Sequence, residues 1–377
     1  MNIYRFFILL ITLSFYSCVE KYDINITNKI DGVVIEASIS NISYNKTIAY
    51  PSNGRIFQVK LKTLSDVTNT KDEPISRARV SLIDDRGNRV FYIENNRIPG
   101  TYTLNNRDFA AVFGVKYKLN IRIPSGEEFE SSWETMPVET TEVGKISIEE
   151  TAINKYIFGI NSEKTIKNFE GIDVNIEMPK NNSEDFKYYR WIYKPIWIYI
   201  APLARASSPV KKCWVTDNSY LGHQTLEKSK FSNYKNKLFF LQTTGNYKVY
   251  TYFSVLISQQ VLSEGFYNFN KDLDKQGNRG GIFATPPFNL RTNYTCTKGD
   301  KSVYGYFEVF TENATRWVFD QYKLSYFITD DLLPICIAAK DIPAEPSGCE
   351  SCIKIIGFPS TSPPFWWKPQ RTSANKK

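Results

Sequence analysis

Strict alternation of apolar and polar residues constrains the fold of this chain more than any other feature. In FQVKLK, residues 57–62, every second side chain is apolar, and YKLNIRI, residues 117–123, repeats the pattern. Successive side chains of a β-strand point to opposite faces, so a period of two predicts strands with one buried face. Aromatic residues make up 15% of the chain, which also favours strands because their rings pack well on pleated surfaces.

Residues 30–137 are predicted to form a β-sandwich-like domain. ARVSL, residues 78–82, and VFYI, residues 90–93, flank the turn sequence DDRGN, as expected for a hairpin. EFESSW, residues 128–133, supplies the last strand. Short strands spaced by about ten residues, with Gly, Asn and Pro between them, are typical of sandwiches of the immunoglobulin or fibronectin style.

Residues 138–342 are predicted to form a second β-rich domain. Its first part, residues 138–168, is weakly patterned and is expected to be a linker with one strand. Aromatic and β-branched runs predict strands at YYRWIYKPIWIYI, KLFFL and YKVYTYFSVLIS, the last two in the centre of a sheet, and again at YGYFEVF and RWVF. The predicted fold class is therefore mainly β, with two sandwich-like domains.

A short helical insertion interrupts the second domain near residues 263–273. Ser263 is a suitable N-cap, and Phe266, Phe269 and Leu273 recur at helical spacing. From Pro343 onward the chain is rich in Pro, Ser and Cys. This tail, residues 343–377, is expected to lie over the surface and to end in a loose basic stretch.

An uncharged run, Phe6 to Ser17, precedes Cys18 near the beginning of the chain. It is too short to span a bilayer but suits the apolar part of an export signal. A Cys directly after such a run predicts a lipoprotein signal peptide over residues 1–17, acylation of Cys18 with chains such as palmitate, and a tether over residues 18–29. The alternative is an ordinary signal peptide followed by a Cys by chance.

No arrangement of residues typical of a catalytic centre is found in the sequence. His223 is the only histidine, and it lies in a polar, turn-like stretch. The motifs GxSxG and HExxH are absent. The acidic pairs Asp84–Asp85 and Asp330–Asp331 lie in turns, where neighbouring carboxylates rarely face one substrate. We therefore expect no enzymatic activity and no cofactor.

The segment DLDKQG, residues 272–277, resembles the beginning of an EF-hand loop. Asp272, Asp274 and Gly277 occupy suitable positions, but Phe283 stands where the loop requires a bidentate Glu. The end of a helix followed by a glycine turn explains the same residues. No metal site is expected here.

Charge argues against a nucleic-acid partner. The formal net charge is +8, but the Lys and Arg residues are spread through predicted strands and turns, and no helix or loop concentrates them.

The remaining cysteines are best interpreted as disulfide candidates because an exported chain meets an oxidising environment. Five residues allow at most two bridges, and we expect Cys349 or Cys352 to bond to an earlier cysteine. Zinc binding and redox chemistry by the CxxC motif remain open as alternatives. The candidates are Cys213, Cys296, Cys336, Cys349 and Cys352.

Several segments together resemble a lipoprotein family of Bacteroidota that is classed as a domain of unknown function. They are CVEKYD, PISRARVSLIDDRGN with PGTY, FGVKYKLNIRIPSGEEFESSWETMP, YYRW, the KCW around Cys213, VLISQQVLSEGFYNF, GGIFATPP, VYGYFEVF, and the Cys-rich tail with PPFWWKP. Members of that family are often encoded beside TonB-dependent outer-membrane receptors.

The resemblance implies a lipid-anchored protein of the bacterial outer membrane, with its orientation towards the cell surface left open. It implies an accessory or ligand-capture subunit of a TonB-dependent receptor. An aromatic-rich β surface suits the capture of a glycan or a peptide, and packing in the core is the alternative explanation of the same aromatic residues. The alternative is a structural or adhesive envelope lipoprotein without a role in transport. The family supplies no catalytic or ligand-binding residues to transfer to this sequence.

Overall fold

The fold is mainly β, as predicted. It is described from a computed structural model. The signal peptide and tether expected over residues 1–29 lie outside the residues that the structure describes. These are 32–49, 54–64, 73–139, 142–158, 163–179, 184–222, 224–231, 233–277, 290–328, 330, 332–338 and 348–367.

Within the described residues, the first part of the chain forms seven short strands and one short helix. The bounds of β2, β3 and β6 agree with alternating segments of the sequence, because these strands bury apolar side chains on one face. The elements are β1 (Gly32–Ser40), α1 (Tyr44–Ala49), β2 (Gln58–Thr63), β3 (Arg79–Asp84), β4 (Arg89–Glu94), β5 (Thr101–Thr103), β6 (Tyr117–Arg122) and β7 (Glu128–Ser131).

The second part contains longer strands and the predicted helix. Its elements are β8 (Ile146–Phe158), β9 (Lys164–Glu177), β10 (Lys187–Ile200), β11 (Lys212–Thr216), β12 (Gln224–Ser229), β13 (Lys235–Gln242), α2 (Tyr247–Tyr250), β14 (Phe253–Leu262), α3 (Glu264–Gly277), β15 (Tyr294–Lys298), β16 (Ser302–Val318), α4 (Leu332–Ala338) and β17 (Phe358–Ser360). Short 3-10 turns occupy Gln321–Lys323 and Cys352–Lys354.

Most strands of the described chain follow one continuous hydrogen-bonded path. Its order is β15-β7-β6-β3-β4-β5-β2-β1-β16-β14-β10-β11-β17, and β12 also pairs with β10. A separate sheet has the order β13-β9-β8. Neighbours on the path are antiparallel except β1 and β16, which run parallel. Strand β16 therefore connects the strands of the two parts of the chain.

The first core lies between the inner faces of β1, β2 and β5 and those of β3, β4, β6 and β7. It includes Val59, Leu61, Leu119 and Phe129, all fully buried. Residues from much later in the chain complete it. These residues are Tyr294, Phe307 and Val309. The core around residues 30–137 is thus closed by β15 and the first half of β16.

The second core lies between the three-stranded sheet and the inner face of β10, β11 and β14. Trp191 and Trp197 are its largest members, and both are fully buried. Helix α3 packs against the opposite face of the long sheet through Phe266 and Phe269, as the predicted apolar stripe requires. Ser263 caps it, since its Oγ accepts a hydrogen bond from the backbone N–H of Phe266 at 3.3 Å.

The linker predicted over residues 138–168 is wrong in part. Strand β8 and the beginning of β9 lie there, and they pair from Ile146↔Ile176 to Phe158↔Lys164 as a long hairpin. None of the side chains of β8 is buried. Only the beginning of β8 contacts the second core, through the half-buried Ile146 and Ile148, and the rest of the strand has little reason to alternate, which explains the weak pattern.

Two strands predicted to be central differ from expectation. KLFFL belongs to β13, which lies at the edge of the three-stranded sheet. The beginning of YKVYTYFSVLIS is helical, because Asn246 caps α2 by accepting a hydrogen bond from the backbone N–H of Lys248. The predicted strands YGYFEVF and RWVF are parts of a single strand, β16.

Two disulfides connect the tail to the second core. Cys213 on β11 bonds to Cys352, and Cys336 on α4 bonds to Cys349, while Cys296 is a free thiol. All four bonded cysteines are buried. The tail also adds β17 to the edge of β11. The expectation that the tail cysteines bond to earlier cysteines agrees with this pairing.

The two bridges are predicted to differ in their effect on stability. The Cys213–Cys352 bridge spans 139 residues and the Cys336–Cys349 bridge spans 13. Loop-closure entropy then predicts that Cys213→Ala/Cys352→Ala lowers the free energy of unfolding by about 2 kcal/mol more than Cys336→Ala/Cys349→Ala. Urea unfolding measures the difference, with Cys296→Ala as the control expected to change little. Equal losses from the two double variants would contradict the prediction.

Candidate functional site

The outward face of β10, β14 and β16 carries three rows of residues in register. On β10 the core residues Tyr189, Trp191 and Tyr193 alternate with side chains of the opposite face, so these rows point away from the second core. Strand pairing aligns Arg190–Gln260–Glu312 as row one, Ile192–Ser258–Ala314 as row two and Lys194–Leu256–Arg316 as row three. We call this face the groove, because α3 borders it beside row one and the tail borders it beside row three.

Arg190 in row one is buried, and two of its nitrogen atoms donate hydrogen bonds. Its Nε donates to Oε1 of Gln260 at 2.7 Å, and its Nη1 donates to Oδ1 of Asn270 on α3 at 3.1 Å. The ring of Phe266 lies 4.8 Å from its guanidinium carbon. Burial lowers the pKa of Arg190 to about 10, which leaves it cationic at neutral pH. Arg190 therefore links the helix to the sheet.

A second arginine, Arg55, reaches row one from the segment before β2. It forms an ion pair with Glu312, and its Nη2 donates to Oγ of Ser40 at 2.7 Å. The backbone N–H of Glu312 donates to Oδ1 of Asn41 at 2.8 Å. Charges in row one are thus largely compensated within the protein, as burial of charge requires.

Row three is different because its cations face a pocket without carboxylates. This tail pocket has a volume of about 380 Å³. No Asp or Glu stands among its described lining residues, which are Lys194, Pro195, Ile196, Trp214, Thr216, Asn218, Leu256, Arg316, Phe358, Ser360, Ser362, Pro363, Pro364 and Trp366. The pocket is therefore positively charged.

Lys194 is one of the two cationic residues of the described chain that line the tail pocket. Its side chain is solvent-accessible by surface area, but the walls of the groove surround it, and this reduced solvation lowers the pKa of its ammonium. The positive charges of Arg55 and Arg316 act in the same direction. Lys194 has no hydrogen bond or ion pair with any residue that the structure describes.

Aromatic side chains of the tail form one wall of the tail pocket. The guanidinium carbon of Arg316 lies 4.0 Å from the ring centroid of Trp366, and its Nη1 donates to Oγ of Ser254 at 3.2 Å. Trp367 packs edge-on against Trp214 and Tyr252. The tail, attached through its disulfides, therefore holds these rings against the sheet.

At the other end, α3 and β1–β2 enclose a wider depression of about 710 Å³, which we call the helix pocket. Phe266, Phe269 and Leu273 of α3 line it together with Tyr304 and Tyr306 of β16. A third pocket of about 240 Å³ shares Arg55 and Arg190 with the helix pocket and Lys194 with the tail pocket. The groove is thus continuous from helix to tail.

Glu308 is buried behind the helix pocket and positions α3. Its Oε1 accepts a hydrogen bond from the backbone N–H of Ser263, and its Oε2 accepts one from Ser263 Oγ, both at 2.9 Å. Burial raises the pKa of Glu308 to about 8, because desolvation outweighs the hydrogen bonds and the attraction of Arg190. A perturbed carboxyl group can mark a reaction centre, but the contacts of Glu308 are those of a helix anchor.

The structure places the residues considered in the sequence at separate positions. Cys18 and His223 lie outside the described residues. Asp84 accepts backbone hydrogen bonds in the β3–β4 turn, and Asp330 accepts one from the N–H of Leu332 at the start of α4. Asp272 and Asp274 are both on α3 rather than in a calcium loop, and Asp272 pairs with Lys275.

Sequence reasoning did not find the residues of the groove. Arg55, Arg190, Lys194 and Arg316 are scattered along the sequence, and their convergence requires the strand register. Alternation within β10 was the one available signal, since YYRWIYK carries Arg190 and Lys194 on the face opposite Tyr189, Trp191 and Tyr193.

Comparison with known proteins gives a family. The family model described as "Domain of unknown function (DUF4249)" matches residues 19–316, most of the chain. The chain belongs to this family. The matched span includes all three rows of the groove and ends at Arg316, so the tail lies beyond it. No curated protein and no solved structure matches the chain significantly.

The structure also bears on membrane-spanning helices and on metal sites. Among the described residues, no helix is both long and apolar enough to cross a membrane. Within the same ranges, no group of three or more His, Cys, Asp or Glu residues is placed to hold a metal ion.

Titration of Glu308 is predicted to affect stability. Because its folded-state pKa is raised from 4.5 to about 8, its stabilising protonation is complete below pH 4.5 and is lost as the pH rises to about 8. In this range, deprotonation of Glu308 should lower the free energy of unfolding by up to ~1.4 kcal/mol for each unit of rising pH. Glu308→Gln, which mimics the protonated acid, should remove this slope.

Urea unfolding of both proteins between pH 4.5 and 8.5 measures the effect. Glu149→Gln, at an exposed strand position, is the control and should keep the wild-type slope. An unchanged slope in Glu308→Gln would contradict the assignment of a raised pKa.

Proposed function

We propose that this protein is a lipoprotein of the bacterial outer membrane, anchored through Cys18, that captures ligand as an accessory subunit of a TonB-dependent receptor. The observation that carries the capture role is the continuous groove, which combines aromatic walls with a cation that has no partner in the described chain. Ligand sites typically combine apolar walls with a few polar groups that fix orientation.

The groove also supports binding rather than catalysis as the mode of action. Its two buried carboxyl groups are engaged in structure, Glu312 with Arg55 and Glu308 with Ser263. Its floor is built on β10, β14 and β16, whose fixed register holds Lys194 and Arg316 on one face. We therefore propose that the protein delivers its ligand unchanged.

Anchoring through Cys18 is tested by Cys18→Ser in the full-length protein. Without the acylated sulfur, the protein should leave the detergent phase in a phase-separation assay or accumulate unprocessed, because acyl chains supply the membrane affinity. Cys296→Ser removes the free thiol instead and should remain in the detergent phase. Complete retention of Cys18→Ser in that phase would show that the anchor is elsewhere.

The partner is tested by purification from outer membranes in mild detergent. A capture subunit should co-purify with one large β-barrel receptor through an interface of about 1,200 Å² or more. The Cys18→Ser protein, which should not reach that membrane, is the control. Recovery as a lone monomer in several detergents at low salt would instead favour a structural or adhesive envelope protein.

A further inference from the structure

Several hydrogen-bond donors of the tail pocket have no acceptor among the described residues. Lys194 contributes an ammonium without a partner in the described chain. The indole N–H groups of Trp214 and Trp366, which both line the pocket, are buried and have no acceptor among the described residues. A buried donor without an acceptor costs free energy, and such groups in a folded protein require an explanation.

A bound anion would supply an acceptor for the ammonium of Lys194. No carboxylate lines the tail pocket among the described residues, and Arg316 adds a second positive charge across Leu256. Glu312 in the neighbouring pocket also attracts Lys194, but it is paired with Arg55. The two Cα atoms are separated by two strand spacings, about 10 Å, so both long side chains can reach a group placed between them. Charge-assisted hydrogen bonds from Lys and Arg are the usual means of holding a carboxylate.

The walls of the tail pocket indicate what carries the carboxylate. Phe358 is 75% exposed, and Trp366, whose ring Arg316 contacts on one side, also lines the pocket, so apolar contact area is available. Beside them, Thr216, Asn218 and Ser360 contribute hydroxyl and amide groups. Flat aromatic rings surrounded by small polar groups suit a ring that is apolar on its faces and hydroxylated at its rim.

We propose that the tail pocket binds an acidic sugar residue of a glycan, with its carboxylate between Lys194 and Arg316 and its ring against Trp366. This inference rests on the proposed capture function and specifies its ligand class. The Cys213–Cys352 bridge has a direct role in this site, because it holds the tail that supplies Trp366. A peptide carboxylate would satisfy the cations equally well but would leave the hydroxyl-rich wall unused.

The test is titration calorimetry on the full-length protein in detergent micelles, with trigalacturonate as the probe and neutral galactotriose as its uncharged counterpart. Trigalacturonate should bind and galactotriose should bind at least tenfold more weakly, since the carboxylate contacts are missing. Lys194→Met should weaken trigalacturonate binding about tenfold or more, while Lys194→Arg, which keeps the charge, should retain most of it.

Lys235→Met is the matched control. It removes the same charge from β13, on the separate sheet, and should bind as the wild type does. Equal urea unfolding curves for Lys194→Met and Lys235→Met show that a loss of binding is not a loss of folding. Equal affinity for the two sugars, binding unaffected by Lys194→Met, or no binding at all would overturn the proposal.

Two further outcomes separate this inference from the proposed function. Lys194-dependent binding of an acidic peptide in place of trigalacturonate would overturn the sugar assignment and leave capture intact. Co-purification with a β-barrel receptor does not depend on Lys194, so Lys194→Met should still recover the receptor. Failure of that recovery in the wild type would contradict the receptor role and not the chemistry of the pocket.

Discussion

The pairing of β16 with two different partners is the interaction on which the rest of the structure depends. Its first half pairs in parallel with β1, from Gly32↔Ser302 to Ser40↔Phe310, and its second half pairs antiparallel with β14, from Val261↔Thr311 to Ser254↔Val318. One strand therefore contributes Phe307 and Val309 to the first core and borders the second. Gly305 permits the close approach to β1, because an added Cβ would collide with the carbonyl oxygen of Ile35.

The groove is a consequence of this shared strand. Because β10, β14 and β16 are held in fixed register, side chains far apart in the sequence become neighbours on one face. Arg190 is buried there, Arg55 is half-buried, and both donate to acceptors of the protein, so row one contributes to the structure and attaches α3 to the sheet. Row three retains its charge towards the solvent side, and the tail closes it with aromatic rings. The same register thus gives row one a structural role and leaves the ammonium of Lys194 in row three without a partner among the described residues.

Prediction from the sequence succeeded where one element carries its own signal. The strands FQVKLK and YKLNIRI alternate because each has one buried face, and α3 combines a cap at Ser263 with an apolar stripe. It failed where burial is set by neighbours. Strand β8 is only half-buried at its beginning, and its segment was expected to be a linker with one strand. KLFFL was expected in the centre of a sheet although β13 lies at an edge. An apolar run shows that a strand is buried on its faces, but not whether both of its edges are paired.

The sequence by itself determined the local periodicity and the cap of α3, because these properties depend on residues close together in the chain. It also determined that five cysteines are candidates for disulfides that attach the tail. Only the tertiary structure decided that Cys213 bonds to Cys352 and Cys336 to Cys349, since the pairing depends on which residues the fold brings together. The tertiary structure also decided which side chains meet in the groove. Lys194 and Arg316 are separated by more than a hundred residues, and they face one pocket because β14 lies between their strands and sets both registers.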